Sequence, residues 1–283
     1  MKLLVETSST NIYEFKCDGI ILALKDYSVG SDKYYSLDEI RDICSKYKKE
    51  IFVKLNKNLF NDDIENVKNI LIELDKLNIN GVFFYDLAVL ELKRELNLNI
   101  DLVWNQTHMV NNYKTCDYYN GRGVRYALLG KEITLDEIGE IISSSKITSM
   151  VEVVSKPSVA LSYRSLVSNY YKDLGISGDK SIKIHEKVSG IDFIVTEDDN
   201  GSCFYEDTIT NGTSVIKSLY DFGCPYIIMR EYGIADFLEL VNDTNTYISN
   251  NCSDTNYVEK YKKLGDSTNF FFKKTIYRVK KNG

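Results

Sequence analysis

The feature that most constrains the fold of this sequence is a series of short apolar runs separated by segments of helical periodicity. Eight runs have the length and composition of buried strands: 2–6 (KLLVE), 19–24 (GIILAL), 51–55 (IFVKL), 81–85 (GVFFY), 101–104 (DLVW), 124–129 (VRYALL), 149–154 (SMVEVV) and 226–229 (YIIM). Between most of them, apolar residues recur at i, i+3, i+4 and i+7, as in 37–49, 64–77 and 135–145. Strands that alternate with helices indicate parallel crossovers.

Two helix starts carry a capping-box pattern, Ser36 with Glu39 and Thr134 with Glu137. Eight β/α units within about 240 residues favour a (β/α)8 TIM-like barrel over a doubly wound sheet. The sequence therefore predicts an α/β barrel over residues 1–241 and a short C-terminal extension over 242–283.

The regular spacing breaks after the seventh run. Residues from about 155 to 211 are mostly polar, and the next helical pattern begins only at 215–222 (VIKSLYDF). We predict an irregular polar excursion here, because long insertions in barrels usually lie at the C-terminal face and serve the site.

Composition and charge restrict the function. The chain has 283 residues, 43% of them hydrophobic, and a formal net charge of −6, which argues against binding nucleic acid by bulk electrostatics. The basic end, with Lys273, Lys274, Arg278, Lys280 and Lys281, is interpreted as a solvated terminus. No run approaches the roughly 18 apolar residues of a membrane helix, and the N-terminus turns polar too early for a signal peptide. We expect a cytoplasmic protein that has no membrane partner.

Common site motifs are missing. The six cysteines are scattered without a CxxC pair, and neither His108 nor His185 has a Cys or His at metal-ligand spacing. The sequence has no Walker A loop, no GxGxxG after a strand and no nucleophile elbow. We therefore expect reduced thiols and no metal site.

A barrel site is built from residues just past the C-terminal ends of the strands. That rule selects Asn56, Asp86, Asn105, Gln106, Glu132, Glu152 and Glu231. Asp86 could instead cap the helix that follows it, and Glu132 could pair with Lys131 or face solvent. Glu152 interrupts an apolar strand, so it must either face a polar barrel mouth as a functional carboxylate or belong to a structural ion pair.

Four segments together resemble the U32 peptidase family: 53–67 (VKLNKNLFNDDIENV), 81–96 (GVFFYDLAVLELKREL), 128–138 (LLGKEITLDEI) and 270–281 (FFFKKTIYRVKK). The family includes collagenase-like proteases and bacterial proteins of RNA and quinone hydroxylation. Around the seventh strand this chain keeps Glu152, Val153, Ser162, Tyr163 and the 166–170 segment (LVSNY) of the family signature.

The resemblance implies that hydroxylating members hold an iron–sulfur cluster, for which four thiolates are usual. Both signature cysteines are missing here: Ala160 stands at the first, and 164–165 (RS) replaces the segment that contains the second. The later cysteine regions correspond to 179–187 and 207–211, with Asn211 at one expected cysteine, and Cys203 and Cys224 match no ligand position. We therefore expect no cofactor, and we interpret the excursion as a relic of a cluster-binding loop.

The leading hypothesis is a cluster-free companion subunit that works with a longer U32 paralogue in 5-hydroxylation of the tRNA wobble uridine, contacting tRNA through that partner. One alternative is a U32-type peptidase. In either case the predicted catalytic residues are Glu152 and Glu231, and the predicted substrate-binding residues are Asn56, Asp86, Asn105, Gln106, Glu132 and Tyr163. A second alternative is a barrel that binds a small molecule.

Overall fold

The strands follow the apolar runs closely. A computed structural model describes residues 1–106, 108–156, 158–188, 190–265, 267–268 and 270–273. The basic end from 274 onwards lies outside the described residues. The strands are β1 (Lys2–Glu6), β2 (Gly19–Leu24), β3 (Tyr34–Tyr35), β4 (Glu50–Leu55), β5 (Gly81–Phe84), β6 (Leu102–Trp104), β7 (Tyr126–Leu128), β8 (Thr148–Ser155), β9 (Ser158–Ser162), β10 (Ser181–His185), β11 (Asp192–Asp198), β12 (Gly201–Glu206), β13 (Thr210–Asn211) and β14 (Tyr226–Arg230).

Eight of these strands close into a parallel barrel. They run in the order β1, β2, β4, β5, β6, β7, β8 and β14, and β14 pairs with β1 to complete the circle. All eight predicted runs supply these strands, so the (β/α)8 prediction is confirmed. The short β3 pairs with β2 outside the circle.

Helices pack around the barrel, and capping residues in the sequence mark the start of some of them. They are α1 (Leu37–Lys46), α2 (Ile64–Lys76), α3 (Ala88–Glu95), α4 (Tyr113–Asn120), α5 (Leu135–Ser144), α6 (Leu166–Leu174), α7 (Ile216–Asp221), α8 (Phe237–Ser249) and α9 (Thr255–Tyr261). Both predicted capping boxes are present, at Ser36 and Thr134. No helix among the described residues is long and apolar enough to cross a membrane.

The barrel strands are buried on both faces, which explains why they read as continuous apolar runs. Side chains of alternate residues point inward, and the middle layer of the interior contains Leu4, Ile21, Phe52, Met150 and Ile228. Phe52 makes an edge contact with Phe83 at a centroid distance of 5.9 Å. Leu3 and Val5, which alternate with Leu4 on β1, pack outward in the core beneath the helices.

The predicted irregular excursion is wrong in its structure, although its position is as expected. β9, β10, β11 and β12 form an antiparallel sheet in the order β10, β11, β12, β9, and α6 packs against β11 and β12. We call these four strands the excursion sheet. Its outer strands β9 and β10 are largely half-exposed or exposed and contain several polar residues, so they give a weaker apolar signal than the barrel strands. After it, β13 pairs antiparallel with the end of β8.

The last two helices, α8 and α9, follow β14 and pack against each other. α8 passes without a break through residue 241, where the sequence predicted the boundary of an extension, and that division stays a prediction. α9 packs back on α8 through the stacked rings of Tyr247 and Tyr257, whose centroids are 4.3 Å apart.

Candidate functional site

Four strands place charged side chains in one layer at the C-terminal mouth of the barrel. Glu6, Lys54, Glu152 and Arg230 each lie two residues beyond an inward apolar residue of β1, β4, β8 or β14, so the period of two directs them into the mouth. All four side chains are about nine-tenths buried or more. Such charges are tolerated only when they are paired.

Arg230 joins the two glutamates. Its Nε lies 2.7 Å from Glu152 Oε2 and 3.3 Å from Glu6 Oε2. The Nε–H is not aligned for a hydrogen bond with either oxygen, so both contacts are ion pairs by distance alone. Burial by itself would lower the pKa of Arg230, but Glu152 and Glu6 raise it above its ordinary value. Arg230 is therefore permanently charged between two carboxylates.

Glu152 has two further partners. Lys131, in the loop after β7, places Nζ 2.5 Å from Glu152 Oε1, and Ser155 Oγ donates a hydrogen bond to the same oxygen. Burial would raise the pKa of Glu152, but Arg230, Lys131 and the hydrogen bonds outweigh it and lower the pKa to about 2. The carboxylate is thus ionised and fully engaged at neutral pH.

Lys54 and Glu6 form the second half of the network. Lys54 Nζ donates to Glu6 Oε1 at 2.9 Å and to the carbonyl oxygen of Gly30 at 3.1 Å. Ser31 Oγ donates to Glu6 Oε1 at 2.6 Å. Although burial would raise the pKa of Glu6, Lys54 and Arg230 lower it. Burial lowers the pKa of Lys54, although Glu6 opposes this effect.

Gly30 lets the excursion sheet approach this network closely. Its φ is +65°, and a Cβ there would lie 3.0 Å from Tyr205 Oη and 3.3 Å from Cys203 Sγ of β12. Its carbonyl oxygen also accepts a hydrogen bond from Tyr232 Oη. A side chain at residue 30 would push the excursion sheet away from the barrel.

The excursion sheet and the loop before it roof the mouth. Lys156, Ser158 and Leu161 line the cavity from above, while Asn56, Tyr85, Asn105 and the charged layer line it from below. The enclosed volume is about 50 Å³, whereas sites for small molecules typically measure roughly 300–1,000 Å³. The closed mouth has room for one or two water molecules.

Two polar contacts join the excursion sheet to the loop after β2. Tyr34 Oη donates to Asp198 Oδ2 at 2.6 Å, and Asn200 Nδ2 donates to the carbonyl oxygen of Ser28 at 3.0 Å. These contacts attach the excursion sheet to the barrel.

The structure brings Asn56, Asn105 and Glu152 together among the predicted site residues. Asn56 uses both amide atoms on Val29, accepting from its N–H at 3.0 Å and donating to its carbonyl at 3.1 Å. Asn105 is buried in the cavity wall, and its N–H bonds to the carbonyl of Phe84 at 3.0 Å. Asn56 therefore fixes the loop that carries Gly30.

The other predicted substrate-binding residues make local contacts. Asp86 Oδ1 accepts from the N–H of Ala88 at 2.9 Å, the helix-start contact that was the alternative for it. Gln106 accepts from Trp104 Nε1 at 3.2 Å and donates to the Tyr85 carbonyl. Glu132 lies 3.2 Å from His108 Nδ1 at the surface. Tyr163 is half-buried, and burial raises its pKa.

Glu231 points away from Glu152. Its Oε2 accepts hydrogen bonds from Thr7 Oγ1 at 2.5 Å, the Ser8 N–H at 2.7 Å and Ser8 Oγ at 3.0 Å. The neighbouring Arg230 occupies the mouth instead. The structure therefore does not bring the two predicted catalytic carboxylates together as a pair.

Sequence reasoning did not select Glu6, Lys54, Lys131 or Tyr232 as site residues, and it considered Arg230 only as a cation that the mouth carboxylates could meet. A usable signal exists for three of them: Glu6, Lys54 and Arg230 are charged residues at the second position after an inward apolar residue near a strand end. Lys131 and Tyr232 lie in loops, where no period applies.

The cysteine positions are dispersed in the structure. Cys203 lies on β12 under the roof, where Ser158 Oγ is 3.3 Å from its sulfur, whereas Cys224 lies just before β14 at the opposite end of the barrel. Ala160 is exposed on β9, and Asn211 is buried, donating to the Tyr261 carbonyl at 2.8 Å. Among the described residues, no three His, Cys, Asp or Glu side chains form a group that could hold a metal ion.

Fold and site together define a (β/α)8 barrel protein with a roofed, charged mouth. The chain belongs to peptidase family U32, whose family model matches residues 9–180. That match covers β2 through β9 and α6 and ends directly before β10.

Two curated relatives come from Bacillus subtilis (strain 168). The tRNA hydroxylation protein P2 is 28% identical over 176 residues, which cover 62% of this chain and 56% of that protein. The tRNA hydroxylation protein P1 is 21% identical over 160 residues, covering 55% of this chain and 38% of that protein. The chain thus matches about half or less of the length of each.

Solved structures are more distant. A tryptophan synthase complex from Pyrococcus furiosus is 11% identical over 88% of this chain and 98% of that chain, with a TM-score of 0.47. A similarity this low carries no argument about function.

Proposed function

We propose that this chain is a companion subunit in tRNA hydroxylation, paired with a longer U32 paralogue that carries the iron–sulfur cluster. The proposed modification is 5-hydroxylation of the wobble uridine, with tRNA contacted through the partner. The observation that carries the proposal is similarity to two different tRNA hydroxylation proteins of one bacterium, since a pair of paralogues in one organism is what a two-subunit system needs.

The low pKa of Glu152 and the small cavity at the barrel mouth support a subunit that does not itself catalyse the reaction. A general base works best when its pKa lies near the operating pH. Arg230 and Lys131 lower the pKa of Glu152 to about 2, which makes it a weak base. The roofed cavity of about 50 Å³ does not accommodate a nucleobase or a peptide segment.

The cysteine positions support the further proposal that the chain holds no cluster of its own. A [4Fe–4S] or [2Fe–2S] cluster is ordinarily held by four cysteine thiolates that converge on one point. Cys203 and Cys224 lie at opposite ends of the barrel, and burial raises the pKa of both thiols, which disfavours the thiolate form.

The second candidate is a peptidase, which the family description favours. It would require Glu152 or Glu231 to be released from its present partners and the roof to open. A small-molecule-binding barrel would require the same opening.

Reconstitution separates these functions. The chain, a longer U32 paralogue from the same organism, and both together would be expressed in a host that lacks wobble hydroxylation, and tRNA nucleosides would be measured by mass spectrometry. We expect 5-hydroxyuridine to reach its full level only with both proteins, and the two to co-purify. Full modification by either protein alone, or cleavage of a gelatin substrate by this chain alone, would overturn the companion role.

Glu152→Gln in the reconstituted pair tests the function of the mouth. A functional carboxylate predicts loss of hydroxylation with little change in melting temperature. A structural ion pair predicts lower stability with activity retained below the melting transition. The geometry favours the second outcome, and the matched control is Glu259→Gln, at an exposed surface pair outside the predicted site.

A further inference from the structure

Among the residues that the structure describes, β10 is an edge strand of the excursion sheet with no partner on its outer side. β10 pairs with β11 on one side and ends the sheet order on the other. Four of its five residues are exposed. An edge strand with free backbone groups is a ready template for pairing with another strand. The family match ends at residue 180, so nothing in the family assignment accounts for this edge.

The hydrogen-bond pattern shows which residues of β10 face outward. The Glu186 N–H bonds to the Ile191 carbonyl, and the Glu197 N–H bonds to the Lys180 carbonyl. Hydrogen-bonded positions alternate along an antiparallel pair of strands. The backbone N–H and C=O groups of Ile182 and Ile184 therefore also form hydrogen bonds with β11. The backbone groups of Ser181, Lys183 and His185 therefore point to the open edge.

The sequence of this edge is complementary to itself. Suppose that two copies pair antiparallel with Lys183 on the two-fold axis. The residues whose backbone groups point outward, Ser181, Lys183 and His185, then lie opposite one another, as an antiparallel ladder requires. The same register places Ile182 opposite Ile184 and, at the two ends of the strand, Lys180 opposite Glu186, each pair occurring twice. Shifting by two residues in either direction puts Lys180 opposite Ile184, or Ile182 opposite Glu186, so charge selects the first register.

Lys183 on the axis does not repel its copy strongly. Its Nζ lies 2.9 Å from Asp192 and 2.8 Å from Asp207, and Lys156 approaches Asp207 at 3.5 Å. Two lysines and two carboxylates balance within each copy. The edge lysine is thus neutralised, although lysines at edges commonly prevent pairing.

An exposed apolar residue extends the same contact. Val188, in the turn after β10, is 95% exposed. Ile176, which precedes β10, is 55% exposed. Burial of these side chains would add to the backbone hydrogen bonds.

We propose that a second copy of this chain binds at β10, so that the two excursion sheets join into one continuous antiparallel sheet across a two-fold axis. The contact is small, and interfaces below about 1,200 Å² are typically weak. We expect a dimer with a dissociation constant on the order of 10–100 µM.

The test is sedimentation velocity on the full chain across this concentration range. Ser181→Pro removes an outward N–H that the β10–β11 ladder does not use, and Ser181→Ala is its matched control. We expect the alanine variant to dimerise like the wild type and the proline variant to stay monomeric. A wild-type protein that stays monomeric throughout the range, or a dimer that survives Ser181→Pro, would overturn the proposal.

A charge exchange tests the register without relying on proline. Lys180→Glu and Glu186→Lys each place like charges opposite each other twice, and we expect each to weaken dimerisation about tenfold or more. The double variant restores opposite charges and should recover the wild-type constant. Failure of the double variant to recover, with an unchanged melting temperature, would rule out this register. Competition for the same edge by the longer paralogue would show that β10 serves a different partner.

Discussion

The barrel wall and the excursion sheet are both β structures, but they are held in different ways. Each barrel strand has a bonded neighbour on both sides and apolar contacts on both faces. In the described part of the chain, the excursion sheet ends in the edge strands β9 and β10, which are largely half-exposed or exposed, and polar contacts such as Tyr34 to Asp198 attach it to the barrel. The wall therefore derives its stability from packing, whereas the position of the excursion sheet depends on a few specific contacts.

This difference indicates which parts of the molecule open at lower free energy. Segments with few buried apolar contacts open at lower free energy than a packed core. The charged layer of the mouth lies at the boundary, because the barrel strands carry it and the excursion sheet covers it. Changes in that layer should affect the barrel, and changes in the attachments should affect the roof alone.

The largest expected effect comes from removing the cation between the two glutamates. Arg230→Met leaves Glu6 and Glu152 buried with less compensation, so we expect the free energy of unfolding to fall by about 3–5 kcal/mol. Urea denaturation measures this fall in the free energy of unfolding. Arg41→Met removes surface pairs with Asp38 and Glu73 and should cost less than about 1 kcal/mol. Equal costs would mean that the network adds nothing to the barrel.

The next effect is a pH dependence. The folded pKa of Glu152 is about 2 against an ordinary 4.5, so its contribution is present above about pH 4.5 and is lost as the pH falls toward 2. We expect wild-type stability to fall more steeply over this range than that of Glu152→Gln, by up to about 1.4 kcal/mol per pH unit. Glu259→Gln, at an exposed surface pair, should parallel the wild type. Parallel curves for Glu152→Gln would contradict the assigned pairing.

A smaller effect should be confined to the roof. Tyr34→Phe removes the hydrogen bond to Asp198, worth about 1 kcal/mol, so amides of 192–206 should exchange several-fold faster while barrel amides are unchanged. Hydrogen exchange followed by mass spectrometry resolves the two regions. Tyr170→Phe, at an exposed ring on α6, is the control. Faster exchange throughout the barrel would show that the two regions open together.

The smallest expected signal is the iron content of the purified protein. Protein purified without oxygen should contain far less than one cluster per chain by iron and acid-labile sulfide analysis, and Cys203→Ser should leave the iron content unchanged. Stoichiometric iron and sulfide would show that the excursion still binds a cluster.

Much of the barrel could be predicted from the sequence because its signals are local. Eight apolar runs and two capping boxes each lie within a few residues, and each is present in the structure. The excursion sheet could not be predicted in the same way. Its strands pair across loops and against the mouth, and their side chains are too polar to indicate which face is covered.

The candidate site shows the same division. Asn56, Asn105 and Glu152 were found from their positions at strand ends, and Arg230 was considered as a cation for the mouth carboxylates, but the contact of Lys131 with Glu152 was not foreseen. Glu231 was chosen over its neighbour Arg230, because position in the chain alone does not show which of two adjacent residues points into the barrel.

The sequence by itself determined the alternation of strands and helices and the presence of a carboxylate in the seventh strand, because periodicity and capping act over single turns; it favoured a barrel, but only the structure shows that the sheet closes. Only the tertiary structure decided that this carboxylate is held by Arg230 and Lys131 beneath a roof. Those residues come from separate β/α units and meet only when β14 closes against β1 and β8, so their pairing depends on distances that no local pattern encodes.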